Sequence, residues 1–316
     1  MITQENRDDL LEKGYTVVRE VLTETECDQY VMSYRKWLDC FPSGTFPQCK
    51  FSLIQRYRIG HMEPTWSARL KSYPVFSQLW HTDKLLTSFD AVAIGRPPES
   101  GQEEFWSPDQ CWLHCDQSID REGLHAYQGS IYLEHCDQDD WTFDVVEGSH
   151  QHFDDFMDRL GKSRCTTVSK EDLDWWSERG CTRKRVACPK GGMILWDSRL
   201  LHANVRPVKG RIHPERWRYV VFVCMTPAAW ASEADLELKV NAYNNLLLTG
   251  HWPSTGIIVF PSRLVEGSVE SSIVLDKLPD IARTELVQRL AGILPYKNSG
   301  DDAETNLYIP KFRKVN

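Results

Sequence analysis

The chain has 316 residues, of which 41% are hydrophobic, so it is long enough to bury a large core in one or two domains. Its net charge of -8 and the lack of a long basic run argue against a nucleic-acid partner or an anionic membrane surface. No apolar run reaches the length of a membrane span, and the first residues lack the basic and apolar parts of a signal peptide. We therefore expect a cytoplasmic protein that binds neither nucleic acid nor membrane.

The cysteines are scattered and never form a Cys-x-x-Cys pair, a pattern typical of buried thiols in a reducing compartment. A zinc site is the alternative, because Cys111, His114, Cys115, His135 and Cys136 carry possible ligands. Structural zinc sites usually use two close pairs at defined spacing, and neighbouring residues of a strand point to opposite faces. We therefore expect that few of these side chains converge.

The first hundred residues predict helices and short strands. Residues 3–14 fit an amphipathic helix with a glycine stop, and residues 15–18 have a short strand pattern. Thr23-Glu24-Thr25-Glu26 begins a second helix with a capping box. Further on, a helix-like apolar run covers residues 75–86 and a strand pattern covers residues 88–94.

From residue 110 the pattern becomes β. Residues 128–133 and 141–146 predict strands, and a buried strand at 193–197 leads to His202. The strongest strand pattern covers residues 218–225, whose two faces are both apolar, so we expect it inside a sandwich.

The sequence contains no internal repeat and no flexible linker, which predicts a single domain over residues 1–316. Residues 1–100 would support a β core at 105–228. A charged stretch at 151–187, with a capping box at its Ser-Lys-Glu-Asp sequence, predicts a helical excursion from that core. Residues 229–316 predict a C-terminal extension of helix and loop.

The most specific chemistry lies in Trp112-Leu113-His114-Cys115-Asp116-Gln117. In a strand, His114 and Asp116 point to the same face and present an imidazole beside a carboxylate. Non-heme Fe(II) sites use two histidines and one carboxylate, and leave positions open for substrates and oxygen. His202, directly after a buried strand, is the best candidate for the third ligand. The order of these residues therefore predicts an iron site.

An iron oxygenase of this kind must also hold a dicarboxylate, and a guanidinium grips a carboxylate in two parallel bonds. Arg218 opens the apolar strand, where an arginine costs free energy unless it meets an anion. Arg216 has the same strand parity and remains an alternative, whereas Arg206 and Arg211 lie in the preceding loop and are expected to be solvated. The pattern favours Arg218.

Taken together, these features resemble the phytanoyl-CoA dioxygenase-like family of Fe(II)/2-oxoglutarate-dependent oxygenases. The resemblance covers most of residues 10–230. It rests on an ordered set of segments: Gly14-Tyr15-Thr16-Val17-Val18, His114-Cys115-Asp116-Gln117, Tyr127-Gln128-Gly129-Ser130-Ile131-Tyr132-Leu133, Glu147-Gly148-Ser149-His150, Trp196-Asp197-Ser198-Arg199-Leu200-Leu201-His202, and 218–225. It implies a mostly β fold with flanking helices around a double-stranded β-helix core, which is a jelly-roll or cupin-like architecture.

The resemblance also implies roles for six residues. Three would bind Fe(II) as the catalytic centre: His114, Asp116 and His202. Arg218 would pair with the distal carboxylate of 2-oxoglutarate. Asn204 stands where many members carry a serine that helps to hold that carboxylate, and Tyr132 stands where relatives place an aromatic residue near the cosubstrate. Glu147 replaces the usual proline of the family's Pro-Gly-Ser-His turn.

The implied activity is oxidation of a small organic substrate, with 2-oxoglutarate and O2 converted to succinate and CO2. Related halogenases replace the carboxylate ligand with a small residue, whereas Asp116 is intact, so hydroxylation or desaturation is expected. We expect residues 41–72 or 151–187 to cover the substrate mouth. The sequence indicates neither the substrate nor the oligomeric state.

Other classes of protein compete with this interpretation. A catalytically silent binding or regulatory protein on the same fold would have lost a ligand or the arginine. A metal-dependent cupin-like enzyme without 2-oxoglutarate would not need Arg218. A zinc-stabilised structural protein would need thiolates rather than the set of two histidines and an aspartate. The intact set favours the oxygenase.

Overall fold

The structure is a computed structural model that describes residues 1–101, 112–161, 164–262, 273–296 and 308–313. The chain divides into two compact units, each assembled from separate stretches of sequence. Unit 1 comprises Met1, Val21–Ile94 and Tyr219–Ile309, and unit 2 comprises Ile2–Glu20, Gly95–Arg218 and Pro310–Asn316. All six predicted site residues lie in unit 2.

Helices and antiparallel sheets make up the described fold. The α-helices are α1 (Gln4–Glu12), α2 (Glu24–Leu38), α3 (Glu63–Trp80), α4 (Phe153–Leu160), α5 (Lys170–Ser177), α6 (Glu233–Asn244) and α7 (Glu285–Leu290). The strands are β1 (Tyr15–Val18), β2 (Leu53–Ile54), β3 (Leu85–Thr87), β4 (Val92–Gly95), β5 (Arg121–Glu122), β6 (Tyr127–Tyr132), β7 (Thr142–Glu147), β8 (Thr182–Val186), β9 (Met193–Asp197), β10 (His202–Val205), β11 (Arg218–Pro227) and β12 (Lys311–Phe312).

The structure confirms the helix ends that the sequence predicted from capping boxes and from a glycine stop. Thr23 and Ser169 each accept a hydrogen bond from the third backbone N–H of α2 and α5, and both capping boxes form. Gly14 follows α1 with φ +84°, a conformation that L side chains rarely adopt. A Cβ there would lie 2.5 Å from His150 Nδ1, so the turn also needs glycine for its close approach.

Two predictions in the first hundred residues were wrong. The predicted helix over 75–86 is the end of α3, which begins at Glu63 because Pro64 suits a first helical turn. It stops before His81, whose φ is +53°, and the last residues of the run form β3. The predicted strand over 88–94 is β4 alone. Its first half is diverted by side-chain bonds, among them Asp90 Oδ1 accepting from the backbone N–H of Ala91 at 2.6 Å.

Two later stretches each contain a strand that the sequence did not predict. The predicted helical excursion at 151–187 contains α4 and α5 but ends in a strand, β8, which pairs antiparallel with β7. The predicted helix-and-loop extension at 229–316 contains β12, which pairs with β5. Both strands are local departures from helical patterns, because pairing with a distant partner is not encoded in the local sequence.

Two of the antiparallel sheets in unit 2 face each other. One has the strand order β1-β9-β6 and the other β10-β7-β8. Aromatic rings project into the space between them: the Trp196 ring on β9 lies 4.6 Å from Phe143 on β7 and 5.3 Å from His202 on β10, measured between centroids. This interior is where the candidate site lies.

The helical excursion packs on the outer side of the strands that carry the candidate ligands. Leu113, Cys115, Leu201 and Ala203 alternate with those ligands along the chain and so point the other way. They share one buried cluster with aromatic residues of the excursion, among them Phe153, Phe156 and Trp176. These three rings belong to the stretch 151–187, one of the two expected to cover the substrate mouth, and they are core residues.

Unit 1 buries charged groups as well as apolar ones. Arg69, in the stretch 41–72 that was one of two expected to cover the substrate mouth, is fully buried and donates to the carbonyls of Gly60, Asp90 and Phe222 at 2.5, 2.7 and 3.3 Å. A buried charge with three acceptors holds the surrounding backbone in place and has a structural role.

Within the part of the chain that the structure describes, no helix has both the length and the apolar character of a membrane span.

Candidate metal centre

His114 and His202 are direct partners across two antiparallel segments. The backbone N–H of each donates to the carbonyl of the other, at 3.0 and 2.9 Å. Residues that pair in this way point to the same face of the sheet. Their imidazole centroids lie 4.5 Å apart, so the pairing brings together two side chains that are far apart in sequence.

Both imidazoles are held in the same tautomer. His114 Nδ1 donates to the carbonyl of Trp112 and His202 Nδ1 to that of Leu200, each at 2.9 Å and each two residues back. The Nε2 atom of each ring is then the lone-pair atom, and it faces Asp116. A backbone bond at the other ring nitrogen is the usual way in which a metal-binding histidine is oriented.

Asp116 completes the cluster. One carboxylate oxygen lies 3.5 Å from His114 Nε2 and the other lies 3.2 Å from His202 Nε2. Ligands about 2.1 Å from one metal ion and at right angles would be about 3.0 Å apart. In the part of the chain that the structure describes, these three residues are the only group of three or more His, Cys, Asp or Glu side chains spaced to hold a metal ion. The donor set fits a facial 2-His-1-carboxylate site.

The shared carboxylate acts on the two histidines unequally. Burial lowers the pKa of His114, but the Asp116 carboxylate more than offsets this and the pKa is raised overall. Burial also lowers the pKa of His202, and there the attraction of Asp116 is insufficient, so the pKa falls below its ordinary value. A neutral His202 is the form that can bind a metal ion.

Gln117 fixes the segment that carries His114 and Asp116. Its buried amide donates to the carbonyls of Arg121 and Gly123, at 3.0 and 2.8 Å, and accepts from the Ser198 hydroxyl at 2.7 Å. Its backbone N–H donates to the Ser198 carbonyl at 3.1 Å. One side chain therefore ties the His-x-Asp segment to the turn that leads into β10.

The Glu147-Gly148-Ser149-His150 turn supports the other histidine. The Ser149 hydroxyl accepts a hydrogen bond from the backbone N–H of Leu201, next to His202, at 2.9 Å. Glu147, which stands in place of the proline common in the resembling family, accepts from the Tyr15 hydroxyl at 2.6 Å. The substitution adds a bond to β1, and Gly148 still makes the turn with φ +80°.

The three residues assigned to the cosubstrate also lie together. The Arg218 guanidinium, 2% exposed, donates to the Asn204 side-chain oxygen at 2.5 Å. Burial lowers its pKa, while the neighbouring Tyr132 and Cys136 side chains oppose that change. Asn204 is two residues after His202 on β10, so the two share a face. A buried guanidinium thus lies along the same strand face as the histidine.

The other arginines considered from sequence are engaged elsewhere. Arg216 pairs with Asp137 and Asp140, at 2.5 and 2.9 Å. Arg211 was expected to be solvated, but its side chain is 1% exposed and pairs with Glu99 and Asp140. Its loop folds back over acidic groups, a contact that local sequence does not reveal.

The chain contains a second His-x-Asp sequence that makes a useful contrast. His135 and Asp137 form an ion pair at 3.1 Å, but both side chains are 48% exposed. Cys136 between them is buried and donates to the Trp141 carbonyl. These residues and Cys115, which packs in the outer cluster, do not converge on His114, and Cys111 lies outside the described residues. Spacing alone therefore does not make a metal site.

Sequence reasoning missed the aromatic wall of the centre. The Trp112 ring stacks on His114 with 4.6 Å between centroids and 26° between planes. Phe143 and Trp196 lie 5.2 and 5.3 Å from the His202 ring. The position of Trp112, two residues before His114, was the one available signal, since both share a face. The other two reach the site through packing between sheets.

No known protein-family profile matches the chain. A search of curated proteins finds the Ava biosynthesis cluster protein O of Aspergillus versicolor, 25% identical over 272 residues, which cover 78% of this chain and 85% of that protein.

Several solved structures are similar in fold to this chain. The GlcNAc Inducible Gene 2 product (GIG2, DUF1479) of Candida albicans matches with a TM-score of 0.67 at 13% identity, over 96% of this chain and 80% of that one. The apoform of EctD from S. alaskensis matches with a TM-score of 0.50 at 16% identity, over 73% and 79%. EctD has also been solved with 2-oxoglutarate and 5-hydroxyectoine. The resemblance inferred from the motifs is confirmed as a likeness of fold.

Proposed function

We propose that the protein is an Fe(II)- and 2-oxoglutarate-dependent oxygenase that oxidises a small organic molecule. The observation that carries the proposal is the convergence of His114, Asp116 and His202, with both Nε2 atoms facing one carboxylate. A 2-His-1-carboxylate set with open positions is diagnostic of non-heme Fe(II) oxygenases.

The fold is consistent with this proposal. We interpret the two facing sheets of unit 2 as a double-stranded β-helix, with the metal centre between them. The likeness to the EctD fold supports this architecture. Fe(II), 2-oxoglutarate and O2 are the cofactor and cosubstrates that the donor set and the buried arginine suit.

Each residue has a separate task in this proposal. His114, Asp116 and His202 would hold Fe(II), which with O2 and 2-oxoglutarate supplies the oxidising chemistry that yields succinate and CO2. Arg218 would bind the distal carboxylate of 2-oxoglutarate, because a buried guanidinium is stabilised by an anion. Asn204 orients that guanidinium through the bond at 2.5 Å. Tyr132, whose pKa is raised by burial, stays protonated beside it and can donate. Hydroxylation or desaturation is the expected outcome, since the carboxylate ligand is present.

An anaerobic titration tests cofactor and cosubstrate together. Adding 2-oxoglutarate to the protein with Fe(II) should produce the weak visible charge-transfer band of a chelated 2-oxo acid, which succinate should not produce. Admitting oxygen should then release succinate. A protein that binds Fe(II) but shows no band with 2-oxoglutarate would instead be a metal-dependent cupin-like enzyme. A protein that binds no Fe(II) would be a silent relative on the same fold.

A further inference from the structure

One face of β6 carries polar side chains into the interior of unit 2. Gln128, Ser130 and Tyr132 alternate along the strand and point to the same side, while Tyr127 and the residues between them point to the other. Gln128 is 3% exposed, and its amide nitrogen has no hydrogen-bond partner among the described residues.

A second donor lies directly across the sheet. Trp196 on β9 is the register partner of Gln128, so their side chains lie side by side on one face. The Trp196 indole is 2% exposed, and its N–H likewise has no partner among the residues that the structure describes. Its ring lies 5.3 Å from His202 and 4.6 Å from Phe143, so this is the face that looks onto the metal centre.

Two buried donors without acceptors are costly unless something fills the space between the sheets. Buried polar groups in native proteins are nearly always hydrogen-bonded, to protein, water or ligand. Both groups here donate, so the occupant must accept. Aromatic rings surround the two donors and offer no strong acceptor of their own. A strong acceptor, such as the oxygen of a carboxylate or carbonyl, would therefore bind best there.

Gln128 and its partner Trp196 lie too far from Arg218, measured along β6, to bind the same carboxylate. Tyr132, near Arg218, is four residues from Gln128, which is about 14 Å at about 3.4 Å per residue. A five-carbon diacid spans about 6 Å at about 1.5 Å per carbon–carbon bond. A group bound at Gln128 and Trp196 is therefore not the carboxylate that Arg218 holds.

We propose that Gln128 and Trp196 form a two-donor site for a carboxylate or carbonyl oxygen beside the metal centre, an inference that rests on the proposed function. Two ligands present this chemistry there. One is 2-oxoglutarate, through the carboxylate next to its 2-oxo group, which leaves an oxygen in need of donors once it chelates a metal. The other is the organic substrate, which would then carry such an oxygen near the carbon that is oxidised.

Two variants remove one donor each with little change of shape. Gln128→Met keeps the length of the side chain, and Trp196→Phe keeps an aromatic ring against Phe143 and His202. Tyr127→Phe, on the opposite face of β6, is the matched control. The first measurement is 2-oxoglutarate affinity, from the anaerobic charge-transfer titration. A rise of about tenfold or more in apparent Kd in both variants, with Fe(II) stoichiometry unchanged, assigns the site to the cosubstrate.

The second measurement asks whether the site binds another oxygen. Protein saturated anaerobically with Fe(II) and 2-oxoglutarate is titrated with 4-fluorobenzoate and 4-fluorotoluene, which share a ring and differ in the carboxylate, and binding is followed by 19F NMR. If the site serves the substrate, wild type and Tyr127→Phe prefer the benzoate, and both donor variants lose the preference while their 2-oxoglutarate affinity is unchanged.

The inference is overturned if both variants keep the 2-oxoglutarate affinity of the wild type and also its discrimination between the two probes. It is equally overturned if the wild type does not discriminate between the probes and the variants do not lose 2-oxoglutarate affinity. A different result contradicts the proposed function itself: a wild type that binds Fe(II) but gives no charge-transfer band. Because the two variants alter different strands, a folding defect in one leaves the other to decide.

Discussion

Asp116 lies within 3.5 Å of both candidate histidine ligands, so it is the residue on which the metal centre depends most directly. Asp116→Ala should remove one of three ligands and reduce Fe(II) affinity at least tenfold, together with succinate formation. Equilibrium dialysis with Fe(II) under anaerobic conditions measures the first effect without turnover.

Asp137→Ala is the matched control for that experiment. It removes the aspartate of the other His-x-Asp sequence, which is 48% exposed and pairs with Arg216. Its Fe(II) stoichiometry should equal that of the wild type. Equal losses in the two variants would contradict the assignment of the metal centre to Asp116.

Arg218 and Arg216 have the same strand parity but different surroundings, and this separates their expected roles. Arg218 is buried beside Asn204, whereas Arg216 is held by Asp137 and Asp140. Removing one partner of a desolvated charge pair costs about 2–5 kcal/mol. Arg218→Ala should therefore raise the apparent Kd for 2-oxoglutarate well over tenfold in the anaerobic titration, with Fe(II) binding retained. Arg216→Ala should leave that Kd near the wild-type value, and the reverse result would exchange their assignments.

At the level of single elements, the His-x-Asp segment depends on the amide of Gln117. Gln117→Leu would leave the carbonyls of Arg121 and Gly123 and the Ser198 hydroxyl without their bonds, each worth about 0.5–1.5 kcal/mol. For the three bonds together we expect a loss of about 1.5–4.5 kcal/mol in the free energy of unfolding, measured by urea denaturation, and weaker Fe(II) binding.

Gln151→Leu provides the comparison for this change. Gln151 also donates to two backbone carbonyls, of Leu11 and Glu12, but it is exposed and water can replace its bonds. Its loss of stability should stay within about 0.5 kcal/mol. A similar loss in both variants would show that burial of the Gln117 amide contributes nothing to the fold.

The sequence predicts elements well where the signal is local. Capping residues mark the starts of α2 and α5, and the apolar run marks β11, because these signals need no distant partner. The predicted boundaries of α3 and β4 were wrong because the helix begins at Glu63, before the apolar run, and because Asp90 binds the backbone N–H of Ala91.

The candidate site was predictable only as a list of residues. The spacing of His114 and Asp116 and the strand-end position of His202 suggested the ligands. Their approach depends on the pairing of His114 with His202, and the aromatic wall on contact between two sheets. Neither long-range pairing nor packing between sheets has a local signal, so Phe143 and Trp196 could not be found in advance.

At the scale of the whole molecule, buried histidines make stability depend on pH. Burial lowers the pKa of His61 in unit 1 to about 3 and, with the charge of Arg121, that of His125 in unit 2 to about 4. The unfolded chain takes up these protons near pH 6.5 and the folded chain does not, so stability is fully present above about pH 6.5 and falls as the pH drops toward 4.

Histidine replacement should flatten this dependence. Each such histidine contributes up to about 1.4 kcal/mol per pH unit within its window. In His125→Gln, urea denaturation between pH 6.5 and 4 should give a free energy of unfolding that falls less steeply than in the wild type. Parallel slopes for His125→Gln and wild type would mean that His125 is protonated in the folded protein.

Unit 2 cannot complete its folding when its site residues have been synthesised, because it also includes Pro310–Asn316. The ribosome completes residues 95–218 before it adds 219–309, and only then does it reach β12, which pairs with β5 and supplies the Lys311 carbonyl that accepts from His125 Nε2 at 2.8 Å. At about 5–20 residues per second, that wait lasts on the order of ten seconds. During it, the nascent chain has every candidate metal ligand but lacks the strand that pairs with β5, so the backbone N–H and C=O groups of Arg121 and Glu122 that β12 will bind are still unpaired.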